Sequence, residues 1–170
     1  MRNIFTIPAD LEQLARLHAY PGVSPEETRP LREWIKRYAG QHFTEIRFNV
    51  RLGVGELAPD EPDQAKRRAI EQGTRMRCDA MGWRPPNEAT LIEAKVTLEN
   101  AGVWQLLGYR DAYVDEFPGH VLRLVIVAEG ATPTAQKLAL SSGIGLYFYR
   151  FPEGTVDVTA SATEASTDGV

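Results

Sequence analysis

The sequence predicts an α/β fold, a central mixed β-sheet flanked by helices, and three observations predict it. Segments 43–54, 76–82 and 91–96 alternate in side-chain character and read as half-buried strands. A continuous apolar run from Leu124 to Ala128 reads as a strand covered on both faces. Helical spacing fills the intervals, so that after residue 28 the elements run α-β-β-β-α-β-α-β, an order that places helices on both faces of one sheet.

Taken in order, Pro8-Ala9-Asp10 caps a short helix over LEQLARLHAY, with Leu11, Leu14, Ala15 and Leu17 as its apolar stripe, and Tyr20-Pro21-Gly22 ends it. Ser24-Pro25-Glu26-Glu27 supplies an N-cap and early acids for a second helix, in one or two pieces, reaching Tyr38 and stopping at Gly40. Its apolar positions Leu31, Trp34, Ile35 and Tyr38 recur at three and four, the spacing of a helix laid on a sheet. FTEIRFNVRLGV then sets Thr44, Ile46, Phe48, Val50 and Leu52 on one face of a long strand. Residues 55–75 are a polar insertion with a short helix over 62–72, whose Lys66, Arg67 and Arg68 either reach a substrate or belong to a mobile loop. A helix over 101–116 gives way at Pro118-Gly119, Thr132-Pro133 opens a helix to Ser142 with Gly143 as its stop, and IGLYFYRF forms a last short strand. This divides the chain into an N-terminal helical extension over 1–28, a central domain over 29–151 and an acidic polar tail over 152–170.

Residues 76–109 hold the chemistry. In the first strand of this block Arg77, Asp79 and Met81 share a face, and in the second Leu91, Glu93 and Lys95 do, against the apolar face of Ile92, Ala94 and Val96. Charged side chains on an otherwise oily strand are expensive to bury without partners, so their presence calls for a reason. Two acids and a lysine from neighbouring strands suit one chemistry well. Asp79 and Glu93 would hold a hard divalent cation through oxygen, and Lys95 would orient or polarise a water beside it. Phosphodiester hydrolysis is the natural reading.

Asp79, then Glu93-Ala94-Lys95, on consecutive strands followed by a helix, resembles the active-site signature of the PD-(D/E)xK nuclease superfamily. Gln105-Leu106-Leu107-Gly108-Tyr109 is similar to the QxxxY helix motif of its RecB-like and lambda-exonuclease-like branch, a Gln and a Tyr one helical turn apart. The likeness covers about residues 29–150, and it departs from the pattern in having Cys78 where proline often precedes the first acid. It implies a restriction-endonuclease-like core and Mg²⁺ or Mn²⁺ as cofactor, bound by Asp79 and Glu93. Lys95 would assist the attacking water, and Gln105 and Tyr109 would orient the substrate or the lysine. Some relatives carry an extra upstream acid, for which Glu33 and Glu45 are the candidates.

Composition sets the outer bounds. With 170 residues, 43% apolar and 25% charged, the chain is one domain with a sizeable core. It has no apolar run long enough to span a membrane, and MRNIFTIPADLEQL turns acidic too early for a secretory signal. The single cysteine, Cys78, excludes an internal disulfide and a multi-cysteine zinc site, and a reducing cytoplasmic setting is expected. His18, His42 and His120 lack ligand spacing, Ser141-Ser142-Gly143 lacks the context of a nucleophile elbow, and Gly53-Val54-Gly55-Glu56 lacks the lysine of a phosphate loop. Trp83 and Trp104 are expected to be packing residues rather than base-stacking platforms.

The net charge of −4 is concentrated at the C-terminus. Residues 151–170 hold Glu153, Asp157, Glu164 and Asp168 and no Lys or Arg, and removing those four from the 23 acids leaves 19, equal to the 19 lysines and arginines. Within the neutral body, Arg29, Arg32, Lys36, Arg37, Arg47 and Arg51 form a basic stretch of the kind that contacts phosphate backbones, or that merely solvates a helix and a strand. The leading expectation is therefore a metal-dependent nuclease acting on nucleic acid, DNA rather than RNA, with no membrane partner. The alternative is a nuclease-fold assembly component, for example of a phage particle and then virion-associated, whose tail joins copies of the chain or a larger assembly.

Overall fold

The computed structural model describes residues 3–149, so the expectations for residues 152–170 lie outside the described residues. Six strands form one mixed sheet, β1 (Ile4–Thr6), β2 (Glu45–Leu52), β3 (Met76–Arg84), β4 (Glu88–Leu98), β5 (Val121–Ala131) and β6 (Gly145–Phe148), lying side by side in chain order. Pairing is antiparallel from β1 to β4 and parallel from β4 to β6. Both parallel pairings are made through a helical crossover, Asn100–Glu116 between β4 and β5 and Pro133–Ser141 between β5 and β6, as parallel pairing requires. Helices α1 (Leu11–Arg16) and α2 (Pro25–Trp34), a π-helical turn Ile35–Ala39 and α3 (Gly40–His42) lie on one face. On the other face lie α5 (Asn100–Glu116) and α6 (Pro133–Ser141). The predicted α/β class and element order after residue 28 therefore stand. No helix among the described residues is long and apolar enough to cross a membrane.

Each face has its own core. Phe5, Leu14, Leu31, Trp34, Ile46, Phe48, Ile92 and Val127 fill the α2 side, while Leu91, Leu98, Val103, Leu106, Ile126 and Ala139 fill the α5 side. β5 contributes to both, with Ile126 and Val127 both fully buried, as its unbroken apolar run requires. β1 is an addition to the predicted elements. Its three residues are too few for alternation to register, yet Phe5 is buried and meets Phe48 edge-on at 5.8 Å, while Tyr20 stacks on the same ring at 4.6 Å. The residues before 28 thus add a strand as well as a helix.

Two local departures have physical causes. Gly40 does not stop the second helical segment, because it keeps right-handed helical dihedrals at φ −65° and the chain stays helical to His42. A Cβ there would lie 2.9 Å from Leu11 Cδ2, so this glycine serves the close approach of α1. In β2 the expected single apolar face is split. Ile46 and Phe48 face the α2 layer, whereas Val50 and Leu52 face the α5 layer, and the switch occurs at Asn49, whose φ is 53°. Asparagine is among the few residues with a side chain that tolerate this left-handed conformation. Its side chain lies against Gly22, where a Cβ would be 2.8 Å from Asn49 Cγ.

Insertion helix α4 (Gln64–Thr74) buries no side chain, in keeping with the polar reading of this segment. Trp104 overturns the packing expected of it, since it is 61% exposed on the outer side of α5, whereas Trp83 is half-buried and packs against His120. The 3.6-residue period explains the difference: Val103, Leu106 and Leu107 take the inward face and leave position 104 outside.

Phe48 joins β2 to the N-terminal segment, so Phe48→Ala is expected to lower unfolding stability by about 3–5 kcal/mol. A shift of the urea midpoint at unchanged slope would measure it, and a loss under 1 kcal/mol would show that Phe5 and Tyr20 are held by other contacts.

Candidate active site at a fork in the sheet

β3 and β4 run in register from Arg84↔Glu88 to Ala80↔Ile92 and then part company. Beyond that point β3 stays with β2, as far as Met76↔Leu52, while β4 stays with β5 as far as Leu98↔Ala131. Backbone groups at such a fork lose their ladder partners, and side chains must replace them. Two adjacent residues do so here. The Asp79 carboxylate accepts the Ala94 N–H at 2.9 Å, and the buried Cys78 thiol lies 3.3 Å from the Ile92 carbonyl oxygen and 3.1 Å from that of Ala80. Cys78, next to Asp79 in the chain, is thus part of the fork.

On β4, Glu93 and Lys95 share a face, as the two-residue period demands, and the Lys95 ammonium donates to Glu93 Oε1 at 2.7 Å. Glu93 is 1% exposed, and its second oxygen, Oε2, is buried without a hydrogen-bond partner. Lys95 extends beneath the first turn of α5, where a Cβ on Gly102 would stand 3.5 Å from Lys95 Cε. Its ammonium also meets Glu27 Oε1 of α2 at 3.3 Å. Elements from both faces of the sheet therefore converge on the fork.

Glu27 is the acid that the sequence reading missed. Of the two expected candidates, Glu33 pairs with Lys36 at 2.7 Å and Glu45 pairs with Arg47 on its own strand. Glu27 lies one turn before Leu31 on the buried stripe of α2, with Ser24 Oγ accepting its backbone N–H at 3.2 Å. That position was a detectable signal. An acid continuing an apolar stripe at i−4 has to face whatever the helix covers.

Burial sets the electrostatics. Desolvation pushes the Asp79 carboxyl up to about 6 against the opposing pull of the Ala94 N–H and Lys95. Glu93 is pushed up to about 8, by burial first and by the Asp79 charge second. Burial pulls the Lys95 ammonium down, but Glu93, Asp79 and Glu27 more than offset it, and the net shift is upward. Three carboxyls around one ammonium leave an excess of negative charge, and one buried oxygen has no partner. Both observations fit a divalent cation held through oxygen by Asp79 and Glu93. Among the described residues no three His, Cys, Asp or Glu side chains are grouped to hold a metal ion, so two carboxylates are what the protein offers and water and phosphate would complete the shell.

The two predicted helix residues meet each other. Gln105, exposed on α5, donates to the hydroxyl of the buried Tyr109 at 2.5 Å. That hydroxyl is pushed up by burial first and by the charge of Glu93 second, with smaller contributions from Cys78 and Asp79, so Tyr109 lies within the field of the cluster. Neither residue hydrogen-bonds to Lys95 among the described residues. The histidines stay outside: His120 bonds the Tyr113 hydroxyl at 2.8 Å and stacks on Phe117.

Both acids keep their protons to higher pH folded than unfolded, where about 4 is usual, so the folded chain binds more protons between about pH 4 and pH 8. Metal-free stability is expected to fall as pH rises through that window. Glu93→Gln should raise Tm above wild type at pH 8 by on the order of 5 °C and lose the advantage at pH 4. Mn²⁺ should then raise the wild-type Tm and not that of the variant; equal responses in a thermal scan would count against Glu93 as a ligand.

No family model, curated protein or solved structure matches the chain, so the fork, its charges and its unpartnered oxygen are what a functional reading has to explain.

Proposed function

We propose that the chain is a divalent-metal-dependent nuclease that hydrolyses phosphodiester bonds, in DNA by preference, on a restriction-endonuclease-like core of the PD-(D/E)xK type. One observation carries this reading. An acid from each prong of a forked sheet, and a lysine two residues beyond the second acid, share one cluster in which negative charge exceeds positive.

Hydrolysis joins a water oxygen to phosphorus and breaks the bond to one sugar oxygen, leaving a phosphomonoester and an alcohol. Asp79 and Glu93 are the residues that would hold Mg²⁺ or Mn²⁺. When bound, such a cation supplies positive charge opposite the phosphate and favours deprotonation of water. Lys95, fixed between Glu93 and Glu27, retains a third N–H to donate to the attacking water or to a phosphate oxygen, and its positive charge faces the charge that develops there. The released proton leaves on the side of Glu27 and Lys95, whose side chains are each 22% exposed. Glu27 acts on Lys95 as a positioning residue. Tyr109 keeps its proton and serves as a donor in the line Gln105–Tyr109, orienting substrate and not abstracting a proton.

The test is cleavage of linear, nicked and single-stranded DNA, with an RNA arm, by purified protein in Mn²⁺. Wild type is expected to cut, and Asp79→Ala and Lys95→Ala to reduce the rate by about 10²–10⁴-fold. Glu27→Gln should cost about ten-fold in kcat and shift the pH profile, with Glu27→Asp partly restoring it. Wild-type cleavage no faster than that of the Asp79→Ala/Lys95→Ala protein removes the enzyme reading, and a defined oligomer without cleavage then favours the assembly role.

A further inference from the structure

Outside the cluster, the most unusual charge arrangement lies on the same two strands that carry Asp79. Arg51 of β2 and Arg77 of β3 are direct cross-strand partners. Residues opposed in this way project from the same face with their Cβ atoms about 5 Å apart, and like charges so placed repel. Both are exposed, and neither has a carboxylate partner among the described residues. The other cations of the basic stretch differ. Lys36 is paired with Glu33, Arg47 with Glu45, Arg32 donates to the Leu17 carbonyl, and Arg37 lies over the Tyr149 ring. Among the described residues, Arg51 and Arg77 are the two arginines that face each other across a strand pair.

Their position is as informative as their charge. The neighbours Val50, Leu52 and Cys78 turn to the α5 layer, so Arg51 and Arg77 project from the opposite face, the one from which α2 brings Glu27 to the fork. Arg77 precedes Asp79 by two residues, and Arg51 follows Asn49 by two. Two strand residues span about 6.6 Å, comparable to the separation of neighbouring phosphates along one nucleic-acid strand. Two planar guanidinium groups side by side offer paired N–H donors, the geometry that phosphate oxygens accept best.

We propose that Arg51 and Arg77 together bind one backbone phosphate of a nucleic-acid strand, about one nucleotide from the bond presented to Asp79, Glu93 and Lys95. The one-nucleotide spacing rests on the nuclease reading; the phosphate contact itself does not. Anion binding between the two groups removes the repulsion that they otherwise carry, so the pair is a contact site for substrate and has no structural task of its own.

The experiment measures binding without metal, so that it stands whether or not the chain cuts. Fluorescence anisotropy of a labelled single-stranded DNA and of its duplex is followed over a series of KCl concentrations in EDTA, with the full chain. Arg51→Ala/Arg77→Ala is expected to make the slope of log affinity against log salt shallower by roughly 0.7 for the single strand and 0.9 for the duplex, one phosphate contact's worth. Arg51→Lys/Arg77→Lys should restore most of that slope. Asp79→Asn should keep the wild-type slope in EDTA while abolishing cleavage in Mn²⁺, which separates this contact from the chemistry. A control pair at the far end of the sheet, Arg84→Ala/Arg123→Ala, should leave the slope unchanged. In the cleavage assay the Arg51→Ala/Arg77→Ala protein should raise KM more than it lowers kcat. An unchanged slope in Arg51→Ala/Arg77→Ala, an equal loss in the control pair, or no binding of either DNA by wild type would each overturn the proposal. So would a Tm rise with inorganic phosphate that needs the pair, if the DNA slope does not.

Discussion

Glu93 and Lys95 form an ion pair on a strand whose neighbours are apolar, and the arrangement around the fork follows from keeping that pair tolerable. A carboxylate at 1% exposure with one unpartnered oxygen is a liability in any fold. It is made acceptable by the ammonium two residues on, by an upward shift that keeps the acid partly protonated when no cation is present, and by the parting of β3 from β4, which gives Lys95 an outlet toward Glu27. Removing Lys95 would leave a buried charge without a counterpart. The fold thus carries stored electrostatic cost at one place, as sites that bind charged ligands commonly do.

Much of this was legible in the sequence, and the reason is periodicity. Alternation along β4 puts Glu93 and Lys95 on one face whatever the surroundings, and the apolar run of β5 demands two covering layers. The convergence of Asp79 was foreseen only as far as adjacency of strands. How it is met, by a side chain taking the Ala94 N–H where the ladder ends, depends on the splay of two strands, which no local pattern encodes.

What was missed has equally definite causes. Glu27 was read as a helix-start acid, which it also is, because one residue can satisfy both an N-terminal preference and a stripe position. β1 was too short to carry a period. The face switch at Asn49 inverted the assignment of Val50 and Leu52, since alternation presumes an extended backbone at every step and φ of 53° interrupts it. Trp104 illustrates the opposite error, an apolar identity outweighing a helical position that points outward.

The order of strands in the sheet has a bearing on how the molecule comes into being. Because each strand lies beside its predecessor in the chain, a polypeptide emerging from the ribosome always finds its next docking edge already assembled, and no strand has to be wedged between two others. The β3–β4 pairing needs only a local turn, whereas the two parallel additions must wait for a helix to be made and laid across the sheet. The acidic–basic cluster straddles that divide, with Asp79 delivered early and Glu93 and Lys95 on the last strand laid down before the first crossover. A nascent chain therefore holds the chemical groups of its centre before α5 exists to close over them.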